Sequence, residues 1–223
     1  MVGYEQECLV LFSGGQDSTT CLFWAMSKFT KVSAIIFDYG QRHSTEVSNA
    51  KSICEDHDVK YYVLSLPQLA GLNPNALTNY DIKIECKEGE LPSTFVPARN
   101  LFFLSYATAI AYREDIKHIV IGVSEADFSG YPDCRDVFIK SMNSTLNLAM
   151  DKLFYIHTPL MSLDKSQVWQ LSAELGRLDY IRDKTITCYN GCIGDGCGEC
   201  PACKLRCNGY KKYLQIRNYQ QKN

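Results

Sequence analysis

Four short apolar runs, Cys8–Phe12, Val32–Asp38, Val59–Leu66 and His118–Val123, are rich in Val and Ile, and each ends in a polar or glycine-bearing turn. Their length and lack of strict alternation predict parallel strands buried on both faces. Between them the period changes. Cys21, Leu22, Ala25, Met26 and Phe29 recur at helical spacing, as do Val47, Ala50 and Cys54, so each set lies on one stripe of a helix. Leu101–Tyr112 and Cys134–Met150 read as further helices. Asp164 with Gln167 forms a capping box, Val168, Leu171 and Leu175 supply an apolar stripe, and Gly176 is the stop. This alternation predicts an α/β fold, a doubly wound, mostly parallel, Rossmann-like sheet with ligands at the C-terminal ends of its strands.

Two stretches interrupt the alternation. Pro67–Pro97 is longer than a compact domain needs for a connection and reads as a substrate lid or a surface insertion. Cys188–Asn208 has too few large apolar residues to hold itself together, which is the composition of a metal-stapled module. The chain is therefore expected to divide into an α/β domain, residues 1–186, and a small C-terminal zinc-bound module with a tail, residues 187–223.

At 223 residues, 46% hydrophobic and 22% charged, the chain suits one globular core with a small appendage. A net charge of −2 gives no basic footprint for nucleic acid, so no direct nucleic-acid partner is expected. The first residues carry an acidic lead-in and a short apolar run, which is neither a signal peptide nor a membrane span. A cytoplasmic location without a membrane partner is the expectation. There the 11 cysteines stay reduced, and the cluster between Cys188 and Cys207 reads as metal ligands.

The chemistry concentrates in Ser13-Gly14-Gly15-Gln16-Asp17-Ser18, between the first strand and the first helix. Glycines admit a ligand to the backbone, and free N–H groups at a helix start attract anions. The loop has neither the spacing nor the lysine of a Walker A motif, and it lacks G-x-G-x-x-G. A tight turn with a Ser or Asp cap is the structural alternative. Arg99 and Arg135 carry guanidinium forks that match planar oxyanions, with ion pairs as their alternative. Lys165 falls in the first turn of a capped helix, a poor place for a cation unless an anion is near.

The glycine loop resembles the SGG-x-DS loop of the N-type ATP pyrophosphatases. With "FDYGQRH" (Phe37–His43), "PSTFVPARN" (Pro92–Asn100), "DFSGYPDCR" (Asp127–Arg135), "HTPLM" (His157–Met161) and "TCYNGCIGDGCGECPACKLR" (Thr187–Arg206), nearly the whole chain is similar to the family of 7-cyano-7-deazaguanine synthases of queuosine biosynthesis. It departs from the family pattern at Ala98, where glycine is usual, at Ala126, where threonine is usual, and in the additional Cys192 and Cys207.

The resemblance implies a ligase that forms carbon–nitrogen bonds. It would convert 7-carboxy-7-deazaguanine and ammonia to the 7-nitrile through an adenylated carboxylate and an adenylated amide, with ATP, Mg²⁺ and one structural Zn²⁺ per chain. A homodimer is expected. Phe12, Ser13, Gly14, Gly15, Gln16, Asp17, Ser18, Thr19 and Thr20 would hold ATP, Asp17 would help hold Mg²⁺, and Asp38 with the following Tyr39–His43 segment would lie beside adenosine. Ser13, Asp17, Arg99 and Lys165 form the implied catalytic set. Asp127, Phe128, Tyr131, Asp133 and Arg135 are the substrate candidates, with Glu125 and His43 beside them; the acids serve equally well as helix caps. Cys188, Cys197, Cys200 and Cys203 match the family's zinc cysteines, whereas Cys197, Cys200, Cys203 and Cys207 also fit an iron–sulfur run. Alternative functions are another adenylating enzyme, such as a tRNA-thiolating one, and a zinc-knuckle RNA binder with Lys204, Arg206, Lys211 and Lys212 as its basic face.

Overall fold

The strand that ends in the glycine loop lies at the centre of the sheet. The computed structural model describes residues 4–41, 45–72, 75–79, 81–84, 91–126 and 131–220. In chain order the elements are β1 (Tyr4–Leu11), α1 (Gln16–Lys28), β2 (Phe29–Asp38), α2 (Thr45–Asp56), β3 (Lys60–Ser65), α3 (Gln68–Leu72) and α4 (Arg99–Arg113). They continue as β4 (His118–Val120), α5 (Asp136–Met150), β5 (Tyr155–His157), α6 (Lys165–Glu174), α7 (Leu178–Lys184) and α8 (Pro201–Gln220). The sheet is parallel throughout, in the order β3-β2-β1-β4-β5. The chain winds outward from β1 to β3 and then returns to β4 on the other side, so the winding reverses at the C-terminal end of β1, where such sheets bind ligands.

Burial on both faces accounts for the continuous apolar runs. Leu9 and Leu11 of β1 join Ile35, Phe37, Leu104 of α4 and Ile139 of α5 on one face. Cys8 and Val10 join Ala34, Ile36, Leu22 of α1 and Ile53 of α2 on the other. Asp164 accepts the N–H groups of Ser166 (2.9 Å) and Gln167 (3.0 Å), and the Gln167 carboxamide accepts the Asp164 N–H (2.8 Å), completing the expected capping box. Among the described residues, no helix is long and apolar enough to cross a membrane.

Three features differ from the sequence-based expectation. The strand read as His118–Val123 pairs only to Val120, and Gly122 beyond it lies against the first turn of α1, where a Cβ would come within 3.2 Å of the Asp17 backbone. β5 has only three residues, too few for any periodicity. Most of the cysteine-rich tail is the 20-residue helix α8. It packs on α6, with the Trp169 and Tyr210 rings 5.0 Å apart and Trp169 Nε1 donating to the Arg206 carbonyl at 3.2 Å. Ala98, immediately before α4, adopts φ 61°, the left-handed region that costs a residue with a Cβ about 1–2 kcal/mol and costs glycine little.

At the β4–β5 edge, His118 Nδ1 lies 2.9 Å from His157 Nε2, and the other ring nitrogen of His118 bonds Gln6. Burial, reinforced by His118, pushes His157 down to about 4. The unfolded chain, with an imidazole near 6.5, therefore binds the extra proton first. The contribution is complete above about pH 6.5 and is lost as pH falls toward 4. The stability deficit of His157→Gln relative to wild type, measured by urea denaturation, should shrink by about 1–2 kcal/mol between pH 7 and pH 5; a deficit independent of pH contradicts a neutral buried pair.

Candidate active site

The C-terminal ends of β1, β2 and β4 open into a cavity of about 460 Å³, floored by Phe12, Ser13, Gly15, Gln16, Asp17 and Ser18. Gly14 makes the turn with φ 74°, and a Cβ there would come within 3.1 Å of the Ala50 backbone, so α2 approaches the loop only because the residue is glycine. Gly15 is the N-cap of α1 and provides no side-chain cap. The hydroxyls of Ser13 and Ser18 stand 3.1 Å apart, Ser18 Oγ accepts the Ser13 N–H at 3.2 Å, and Ser13 Oγ accepts the Gly15 N–H at 3.4 Å. The turn is thus braced by its serines, while the positive end of α1 faces the cavity.

Lys165 Nζ donates to both carboxylate oxygens of Asp17 at 2.9 Å. The lysine side chain is only 7% exposed. Its stem lies against α8, where a Cβ on Gly209 would meet Lys165 Cγ at 2.6 Å. Arg99 opens α4 and lines the cavity. Burial works against its charge, but Tyr39 and Asp133 nearby more than offset it and hold the guanidinium firmly protonated. Across from it Glu46, which the sequence did not single out, is pushed up to about 7 by burial, with Arg99 pulling the other way. The Gln16 carboxamide is 1% exposed and has no hydrogen-bond partner among the described residues. Such a group waits for a ligand or water.

Several candidates have other work. Thr19 and Thr20 are fully buried and do not line the cavity; the Thr20 hydroxyl donates to the Gln16 carbonyl (2.9 Å) and meets Ser172 (3.1 Å). Asp38 is exposed outside the lining, and its carboxylate accepts the Gly40 N–H at 3.4 Å. Asp133 is buried, also outside the lining, and accepts the Asn100 N–H at 3.0 Å, tying the turn before α5 to the head of α4. Glu125 accepts the Asp136 N–H at 3.1 Å and so caps α5. Arg135 is exposed at the N-cap of α5. Tyr131 does line the cavity, whereas Asp127, Phe128 and His43 lie outside the described residues. Arg206, placed on a basic face by the RNA-binding alternative, is 3% exposed, and Lys212 pairs with Asp164 at 2.7 Å.

From the long stretch before α4, Leu77, Ile84, Pro92 and Thr94 line the cavity, so that segment contributes a wall. Tyr39 and Gln41, from the segment expected beside adenosine, line it, as do Phe103, Thr187 and Tyr189. The signal of the last three was weak because they are ordinary aromatic and polar residues that only the fold gathers.

Beside the cavity, the sulfurs of Cys188, Cys197, Cys200 and Cys203 lie within 4.8 Å of one another. The N–H groups of Cys200 and Glu199 draw the Cys197 thiol down to about 6. Cys188 accepts the Asn190 N–H at 3.3 Å. Four converging, N–H-bonded sulfurs fit a tetrahedral thiolate site. Cys207 and Cys192 are exposed and outside this group, so the fourth sulfur that converges with the other three is that of Cys188 and not of Cys207.

A family model described as "Queuosine biosynthesis protein QueC" matches residues 7–214. A Staphylococcus saprophyticus protein named 7-cyano-7-deazaguanine synthase is 61% identical over 208 residues, 93% of each chain. A protein of the same name from Staphylococcus haemolyticus is 59% identical over 213 residues, 96% of each. Among solved structures, NMN synthetase from Francisella tularensis superposes with a TM-score of 0.52 at 18% identity, covering 87% of this chain and 71% of that one. The U34-tRNA thiolase NcsA from Methanococcus maripaludis superposes with 0.50 at 16%, covering 97% and 72%. These two likenesses concern the fold alone.

Gly209→Ala tests the seating of Lys165. The added methyl should cost about 1–3 kcal/mol by overpacking, although helix propensity alone would give about 1 kcal/mol in the other direction. Urea denaturation reads the sign, and a stabilised variant would contradict the contact between Lys165 and α8.

Proposed function

Because the chain belongs to the family of the queuosine biosynthesis protein QueC, we propose that it converts 7-carboxy-7-deazaguanine, ammonia and ATP into 7-cyano-7-deazaguanine by two adenylations. The observation that carries the mechanism is the lysine-free glycine turn at the head of α1, with hydroxyls on both sides and Lys165 close by. Such a turn suits a pyrophosphate that departs, since no γ-phosphoryl group has to be carried to an acceptor.

A carboxylate does not expel oxide. Its oxygen attacks the α-phosphorus of ATP, pyrophosphate leaves, and ammonia then displaces AMP from the acyl adenylate to give the amide with loss of a proton. The amide oxygen attacks a second ATP, and loss of AMP and the remaining N–H protons leaves the nitrile. The chain's residues supply positioning and charge. Ser13, Ser18 and the α1 N–H groups hold pyrophosphate oxygens, while Lys165 exchanges part of its hold on Asp17 for the polyphosphate. Arg99 meets the substrate carboxylate as a planar fork. Mg²⁺ would neutralise polyphosphate charge when bound, and Asp17, the carboxylate in the glycine turn itself, suits it. The four cysteines hold a structural Zn²⁺. Residues 1–186 then carry the nucleotide chemistry and residues 187–223 the metal and one cavity wall. The reduced cysteines support a cytoplasmic location, and a homodimer completes the proposal.

Sulfur transfer is disfavoured by the one cysteine among the described lining residues. Burial, with Asp133, pushes the Cys134 thiol up to about 11, so it is not a nucleophile near neutral pH.

Incubation with the three substrates and identification of products by mass should yield the nitrile with AMP and pyrophosphate. ADP and phosphate as the only nucleotide products, or no nitrile, would overturn the reading. Asp17→Asn should keep the fold, because the amide still accepts from Lys165, yet lose at least about 100-fold in turnover. Near-normal turnover would remove Asp17 from the phosphate site.

A further inference from the structure

One residue joins the cysteine cluster to the cavity. Tyr189 directly follows Cys188, and its backbone N–H donates to the Cys200 sulfur. The backbone is thereby held from two sides by members of the four-sulfur group. The residue packs against the cysteine cluster and also lines the cavity, beside Tyr131 and Thr94. The Tyr131 hydroxyl is itself 2.6 Å from Thr94 Oγ1, and its ring stacks on Phe95 at 5.7 Å. Pro201 and Ala202, between Cys200 and Cys203, line the same cavity.

The reaction needs two planar ring systems in one cavity, adenine and the deazapurine. Two aromatic walls are present. Phe37 and Phe103 stack at 4.1 Å with Tyr39 beside them, forming the wall that follows β2. The second wall is Tyr131 and Tyr189, with Phe95 behind Tyr131, and the Arg99 guanidinium lies 5.9 Å from the Tyr131 ring. A cation beside an aromatic wall suits the ring that bears the carboxylate.

We infer that Tyr189 is a specificity-determining residue for 7-carboxy-7-deazaguanine, held against the base by the metal cluster that fixes its backbone. This inference rests on the proposed function. The cluster then has a role beyond stapling the tail, since metal occupancy sets the position of one wall of the base site.

The test is equilibrium binding of 7-carboxy-7-deazaguanine and of ATP by titration calorimetry, with metal content measured on the same samples. Tyr189→Ala should weaken the deazaguanine by about 10- to 100-fold, with ATP affinity and metal content unchanged. Tyr189→Phe, which keeps the ring, should recover most of that loss. Removing the metal with a chelator should weaken the deazaguanine as Tyr189→Ala does and leave ATP binding in place. Unchanged deazaguanine affinity in fully metallated Tyr189→Ala overturns the inference, as does an equal loss for ATP or base binding that survives removal of the metal. A wild-type chain that binds no deazaguanine overturns the proposed function, and the inference with it.

Discussion

A buried guanidinium holds the C-terminal helix and the glycine turn in one piece. Arg206 on α8 donates to the hydroxyls of Thr185 (2.7 Å) and Thr187 (2.8 Å) and to the carbonyls of Ile181 (3.1 Å) and Arg182 (2.7 Å). Thr187 in turn accepts the Gln16 N–H at 3.3 Å, and the Ile186 N–H donates to the Gly14 carbonyl at 3.1 Å. Burying a cation is costly unless its donors are satisfied. Here they meet hydroxyls and the carbonyls of α7, the negative end of that helix. Burial lowers the guanidinium pKa, and Asp195 and Asp17 act against the shift. The glycine turn is therefore tied to a residue nearly two hundred places further along the chain.

The site inherits that dependence. Lys165 reaches Asp17 because α6 is packed under α8, and it fits there because Gly209 has no side chain. The cysteine cluster fixes the start of the same α8 and, through Tyr189, a side of the cavity. The glycine turn, Lys165 and the four-cysteine cluster thus all lean on one helix. Disturbing the Arg206 bonds should be felt at the glycine turn, and this favours one cooperative unit over a domain with a detachable tail.

What was legible in the sequence followed from local rules. The buried strands, α1, α2, α5 and the capped α6 were visible as period and caps, and the glycine turn and the cysteine spacing as chemistry. The remainder was hidden by tertiary context. α8 buries Cys203, Arg206, Gly209 and Tyr213, a helical stripe whose arginine and glycine look like surface and linker until their partners are known. Asp133 and Glu125 read as ligands to a base, but each satisfies a helix N-terminus, the other role open to an acid before a helix. Thr20 belongs to the loop motif, yet on a helix its side chain points to Ser172 and away from the cavity. Glu46 carried no motif, and Tyr189 lay inside the cysteine motif without a role of its own; burial against Arg99 and attachment to the sulfurs distinguish them.

The central claim is that the substrate's own oxygen is activated at the α-phosphorus, over a turn that receives pyrophosphate. Substrate carrying heavy oxygen in both carboxylate positions tests it most directly, with mass analysis of every phosphorus-containing product. The account predicts that each AMP formed during nitrile synthesis carries one labelled oxygen and that pyrophosphate carries none. Label in inorganic phosphate, or unlabelled AMP accompanying the nitrile, would contradict it.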